Sequence, residues 1–433
     1  MSRPQRSLRL ALLALLALAL VLGLGLRQVW GAADPRQAAG AMTVANRTSA
    51  SFEQPAAGLT PAELERHQVA DVLFDRTHVP LEGPAGAGLG PRFNASSCVA
   101  CHVRNGRGRP LMGESLVRVA QMDGQPVPGL GHQVRDRAVL GARPDAAVMV
   151  GWQERDGLRR PEIRLEAGAS LELSEPAVAR SLRVAPPLIG LGLLEAVPDS
   201  VILARADPDD RDGDGISGRP HWLKEGDGKP QLGRFGWKAI AATVRDQTAD
   251  AFLNDMGLTS PARADGARVV DITERELTLV TYYSQTLGAP RTALPVSSPV
   301  VQRGRELFDT LACARCHVPQ LATGRSPEAV AGVINGQTIW PYTDLLLHDM
   351  GAGLDDGVAE KGVPGREWRT APLWGIGLAQ RVNGSVGFLH DGRARTLEEA
   401  ILWHGGEAAA ARDRFMALSP QQRDWLLGWL AQL

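Results

Sequence analysis

Four cysteines occur in the chain, and all four fall in two C-x-x-C pairs that run directly into histidine: Cys98-Val99-Ala100-Cys101-His102 and Cys313-Ala314-Arg315-Cys316-His317. Two thiols one helical turn apart can add to the two vinyl groups on one porphyrin edge, and the adjacent imidazole can then reach the iron. This is the attachment pattern of c-type haem. Competing readings fit less well. Disulfides between neighbouring cysteines leave both histidines unexplained. A structural zinc site would hold its two pairs close together in sequence, and a thioredoxin-like motif expects a βαβ context that neither pair has. Two covalently bound haem c groups are therefore expected, with His102 and His317 as proximal ligands. No cysteine remains free for thiol chemistry.

The compartment follows from the N-terminus. Arg3, Arg6 and Arg9 precede or begin an apolar run from Leu10 to Leu26, and small residues Gly31, Ala32 and Ala33 follow it. This reads as an export signal over residues 1–33, cleaved after Ala33 or retained as an N-terminal membrane anchor, since the run nears bilayer-spanning length. Export agrees with haem attachment, which bacteria perform outside the cytoplasm, so the periplasm is the expected location. The 433 residues carry a formal net charge of −1, which excludes a nucleic-acid partner selected by long-range electrostatics.

Residues 34–59 read as a flexible lead. An N-terminal haem domain is expected over 60–290 and a cytochrome c-like C-terminal haem domain over 291–433. Helical spacing marks 60–76, Glu274 to Leu287, Val300–Leu311 and Pro420 to Leu433, with apolar helical pieces within 176–206. Short strands are expected at Ser115–Ala120, Ala146–Trp152, Glu162–Leu165 and Leu171–Leu173. With 48 Gly and 29 Pro, the chain should be loop-rich. The expected fold is mainly α: two cytochrome c-like haem domains with loop-rich insertions and a few short strands.

Several further stretches carry a family resemblance: Pro186-Pro187-Leu188-Ile189-Gly190-Leu191-Gly192-Leu193-Leu194-Glu195, Gly233-Arg234-Phe235-Gly236-Trp237-Lys238-Ala239, His348-Asp349-Met350-Gly351, Phe388-Leu389-His390-Asp391-Gly392-Arg393 and Trp403-His404-Gly405-Gly406. Over most of residues 60–433 the chain resembles the di-haem oxidoreductases, once labelled C-x-x-C thiol oxidoreductases, which are similar to bacterial di-haem cytochrome c peroxidases. In those relatives an F-x-H-x-G segment precedes a helix, and the residue just beyond it is the second axial ligand of the electron-transferring haem. Here Thr396 can cap that helix, with Glu399 closing a capping box, and His404 stands at its end. The resemblance makes His404 a ligand, and bis-His ligation gives a lower potential than His/Met. A helix-terminal histidine held by backbone carbonyls is the alternative. His390, His348 and Met350 are the other ligand candidates. His67, His78, His132 and His221 read as surface or satisfied structural groups.

The resemblance also implies an acid beside the first haem. Glu195, in an apolar stretch that would raise its pKa, fills that role unless it is a helix-surface group. Trp237 is either an electron relay between the haems or a core residue. Asp207, Asp209, Asp210, Asp212 and Asp214, followed by Gly215, look like half of a Ca²⁺ loop, as the relatives hold calcium between their haems; a solvated acidic turn is the alternative, since His221 stands at the twelfth position. The leading functional reading is a periplasmic peroxidase-like enzyme. It takes electrons at the C-terminal haem from a periplasmic donor, a cytochrome or quinol-linked protein, and reduces a small oxidant such as hydrogen peroxide at the N-terminal haem. A pure electron-transfer cytochrome and a di-haem oxygenase for an apolar substrate are the alternatives.

Overall fold

The computed structural model describes residues 34–81, 88–167, 178–224, 228–264, 266, 269–325, 330–384 and 387–433. The export or anchor segment 1–33 and the strand expected at Leu171–Leu173 lie outside them. Among the described residues no helix is long and apolar enough to cross a membrane.

Residues 34–59, expected as a flexible lead, pack inward. Strand β1 (Thr43–Val44) pairs in parallel with Ala289–Pro290, and Met42 and Phe52 are buried. Helix α1 (Pro61–Asp75) starts at a capping box: Thr60 accepts from the Glu63 N–H, while Glu63 accepts from the Thr60 N–H, satisfying two otherwise orphaned donors. The single turn α2 (Cys98–Cys101) carries the first motif.

The region beyond it corrects the mainly-α expectation, for the structure is 33% helical and 20% strand. Period-two runs such as Leu116 to Ala120 bury alternate side chains and form β2 (Ser115–Gln121), which pairs antiparallel with β3 (Gln133–Val134) on one side and with β6 (Val178–Val184) on the other. Between them β4 (Ala146–Arg155) and β5 (Leu158–Ala167) form a two-stranded ribbon. Its turn is Asp156-Gly157, both with positive φ, the backbone a two-residue hairpin demands. The apolar helical pieces expected within 176–206 thus begin as strand β6. Helix appears only from α3 (Leu191–Glu195) onward. Six two-stranded sheets and one three-stranded sheet occur among the described residues.

Further helices, besides short turns at Asp199–Leu203, Gly351–Leu354 and Ala379–Asn383, are α4 (Val244–Met256), α5 (Glu274–Gln285), α6 (Pro299–Thr310), α7 (Leu397–Leu402), α8 (Ala409–Met416) and α9 (Pro420–Leu430). Helix α1 packs on α5, and α6 on α9. The largest apolar cluster, which includes Phe52, Ile189, Leu193, Ile334, Ile339 and Trp374, draws on both sides of residue 290.

Candidate functional site: two cavities that share a wall

The second motif follows α6. Ala312 takes a left-handed conformation (φ 68°) that ends the helix and turns the chain into the Cys313–Arg315 helical turn. The His317 N–H then bonds the Cys313 carbonyl at 3.0 Å. His317 Nδ1 meets the Tyr342 carbonyl at 3.0 Å, which leaves Nε2 for the cavity it lines, a space of about 340 Å³. His404 lines the same cavity. Thr396 caps α7 by accepting from Glu399 N–H, but the expected capping box does not close: the Glu399 carboxylate binds Arg395 N and Nε instead. At the helix end His404 Nδ1 bonds the Ala400 carbonyl at 2.7 Å. That is the predicted carbonyl contact, and it also fixes the tautomer that leaves Nε2 open. Burial, with the neighbouring His404 adding to it, pushes the His317 pKa down to about 4. Burial lowers His404 as well. Two neutral imidazoles in one cavity suit a six-coordinate iron.

Of the other ligand candidates, which all line this cavity, only His348 has both ring nitrogens engaged. His348 has both nitrogens on carboxylates, Nε2 on Asp344 at 2.8 Å and Nδ1 on Glu407 at 2.7 Å. Despite burial, these bonds hold its pKa well above the ordinary value, and they occupy both ring nitrogens. His390 stacks on Trp368, with ring centroids 3.7 Å apart and an 8° interplanar angle. Lys238 and Arg183 also lie over the Trp368 ring. The His390 Nε2 has no hydrogen bond, and burial plus the surrounding cations drive its pKa well down. Met350 also lines the cavity.

The first motif opens on a larger cavity of about 670 Å³, lined by Cys98, Cys101 and His102 together with Leu188, Leu191, Phe252 and Trp374. His102 N–H bonds the Cys98 carbonyl at 2.9 Å. Burial pushes the His102 pKa to about 4, and its Nδ1 lacks a well-formed hydrogen bond. Burial raises the Cys98, Cys101 and Cys313 thiols to about 12. These are not activated thiolates. In each cavity a cysteine pair and a neutral imidazole adjoin a largely apolar space, a donor set that fits haem.

The other expected site residues divide. Trp237 lines both cavities and donates Nε1–H to the Val184 carbonyl at 2.8 Å. Glu195 is neither on the helix surface nor on a cavity wall. Its carboxylate accepts from Val244 N–H at 2.7 Å, at the start of α4, and from the Gln285 amide. Burial raises its pKa. In the acidic loop, carboxylate oxygens of Asp207, Asp210 and Asp212 lie within 4.8 Å of one another. Asp209 turns to Arg211, and Asp214 to Arg315 beside Cys316.

His132, read as a surface or satisfied group, needs correction: it lines the first cavity and its buried Nδ1 has no partner. Arg107, Arg369 and Trp374, which line both cavities, had no local signal in the sequence. They reach the cavities through contacts between segments far apart in the chain.

Two cavities, each built on a C-x-x-C-H motif and joined by a shared wall, define a protein with two haem centres. The family model described as "Di-haem oxidoreductase, putative peroxidase" matches residues 33–125, 166–271 and 265–433. The chain belongs to this di-haem oxidoreductase family, and two haems are its cofactors. None of the curated proteins matches it. Among solved structures it is similar to a chain of hydrazine synthase from Kuenenia stuttgartiensis, with 15% identity over 88% of this chain and 94% of that one and a TM-score of 0.35.

Proposed function

We propose that the protein is a periplasmic peroxidase-like enzyme that binds both haems covalently, at Cys98/Cys101 and Cys313/Cys316. The observation that carries this reading is the asymmetry of the cavities. The smaller one brings His317 and His404 together, as a closed electron-transfer centre requires. The other is the larger, which leaves space for a small oxidant beside His102. When bound, the haems supply electron relay at the second cavity and peroxide reduction at the first: H₂O₂ takes up two electrons and two protons and leaves as two waters. His102, His317 and His404 hold the irons. Trp237 forms part of the wall electrons must cross. Glu195 acts as a positioning residue that fixes the N-terminus of α4, the helix that lends Gln247, Thr248, Ala251 and Phe252 to the first cavity. The electron donor is a periplasmic cytochrome or quinol-linked protein, and calcium belongs at Asp207, Asp210 and Asp212.

A second reading, an electron-transfer cytochrome without catalysis, is favoured by His132, whose free nitrogen in the first cavity could close that iron too. Spectroscopy on the matured protein separates the two. The enzyme reading expects a high-spin haem in the as-isolated or half-reduced protein, binding of cyanide there, and oxidation of a reduced dye by peroxide. His404→Ala should add a high-spin signal from the second haem. Two fully low-spin haems that bind no cyanide until His132 is replaced by Ala would establish the second reading instead.

A further inference from the structure

Seven residues, Arg107, Pro187, Trp237, Arg369, Ala371, Pro372 and Trp374, belong to the lining of both cavities. Two of the seven are cations. A guanidinium does not lose its proton in a protein, and a buried charge without an opposite one is costly. The other deeply buried arginines meet this demand within the chain. Arg183 pairs with Asp356 and Glu360, Arg234 with Asp199, and Arg393 with Asp391. Arg107 and Arg369 have no carboxylate in ion-pair contact among the described residues. Arg107 donates Nε–H to the Gly387 carbonyl at 3.2 Å and Nη2–H to the Leu389 carbonyl at 2.5 Å. Arg369 donates Nε–H to the Gly236 carbonyl at 2.9 Å and Nη1–H to the Thr370 carbonyl at 3.0 Å. These carbonyls orient the planar groups and leave Arg107 Nη1 and Arg369 Nη2 unengaged among the described residues; the carboxylates whose fields reach them, Asp391 for Arg107 and Asp344 for Arg369, are already paired with Arg393 and His348. Arg107 also lies over the Trp237 ring, 5.3 Å from its centroid.

We propose that Arg107 and Arg369 bind the propionate carboxylates of the haems at the wall between the two cavities, so that one pair of cations sets the potential of both centres. A haem carries two carboxylates, and an arginine with a free N–H edge is the group best shaped to take one. Positive charge beside a haem favours its reduced form. The inference rests on the two-haem content of the family and not on peroxide as substrate, so it survives if the peroxidase reading fails.

The test is a spectroelectrochemical titration of the matured holoprotein. Arg107→Gln and Arg369→Gln should each lower both midpoint potentials. Arg107→Lys, which keeps the charge, should lower them less, and Arg164→Gln, on the exposed face of the ribbon, should leave them in place. In resonance Raman spectra the propionate bending bands should move in the two Gln variants only. Unchanged potentials in both Gln variants, or a fall confined to one and the same haem in each, would overturn the shared role. Lowered potentials with unmoved propionate bands would show that the arginines hold a different anion.

Discussion

At the residue scale, the side chains that define the centres were legible because their signal is local. A C-x-x-C-H string is five consecutive residues, and His404 follows a helix whose cap, Thr396, can be read directly. His132 and Arg107 were not legible, since only β2, β6 and the Phe388 loop bring them to their cavities. The same limit hid the fate of His348. Its cavity-side position was open to inference, but its clamping between Asp344 and Glu407 joins residues up to 59 positions apart. That clamp has a consequence in acid. Burial alone would raise the Glu407 pKa, but the hydrogen bonds from His348 and Ser217, the His348 charge and the Asp349 N–H bring it down from 4.5 to about 2. Its contribution to stability is therefore complete above about 4.5 and is lost as pH falls through about 2. His348, with Asp344 and the Cys316 sulfur also facing it, is raised, so it contributes fully below 6.5 and loses its contribution only as pH rises through the raised value. Glu407→Gln should cost about 2 kcal/mol near neutrality, as removal of a charge-assisted hydrogen bond does. The gap to wild type should close between pH 4.5 and 2, measured by denaturant titration across pH. A gap that stays constant to pH 2 would remove Glu407 as an ionic partner.

At the element scale, helices α1, α5, α6 and α9 appeared close to where periodicity put them, because each has an N-terminal cap or an N1 proline and a buried stripe. The β-structure between the motifs was underestimated for a physical reason: β5 carries charged side chains along much of its ten-residue length, and β2 finds its partner β6 only far along the chain, so the apolar signal within each segment is weak. What periodicity does not reveal is closeness of approach. Gly304 of α6 sits against Trp429 of α9, where an added Cβ would stand 2.2 Å from the Trp429 Cβ and 2.8 Å from the Trp425 carbonyl oxygen. Alanine is worth about 1 kcal/mol over glycine in a helix interior. Here it must push the two helices apart, and overpacking costs about 1–3 kcal/mol, occasionally more. Gly304→Ala should therefore lower stability despite its better propensity, and loosen Phe308 and Trp429 beneath His317. Calorimetry of the holoprotein decides: an unchanged or raised melting temperature would show that the helices can shift freely.

At the scale of the whole molecule, the two halves are held by more than their common core. The β4–β5 ribbon belongs to the first half, yet its tip lies on the second. Arg159 donates to the Gly392 and Arg393 carbonyls at 3.1 and 2.9 Å, and Arg395 reaches back to the Gly157 carbonyl at 2.9 Å. Arg160 lies over Trp403, and Leu158 packs in the cluster with Phe388 and Trp403. The segment so gripped, Phe388 to Arg395, leads directly into α7 and His404. The ribbon therefore braces the backbone that sets the second imidazole, although it lines neither the second cavity nor the motif. Arg159→Ala removes two hydrogen bonds from a charged donor, about 1.5–3 kcal/mol each at most, and because Arg159 is partly exposed the loss should fall toward the lower end. The expected result is faster amide exchange in residues 387–404, together with a rise in the high-spin fraction of the second haem, while the first haem's spectrum stays as it was. Exchange that quickens only within the ribbon itself would mean that α7 holds His404 unaided, and that the contact between the halves is passive.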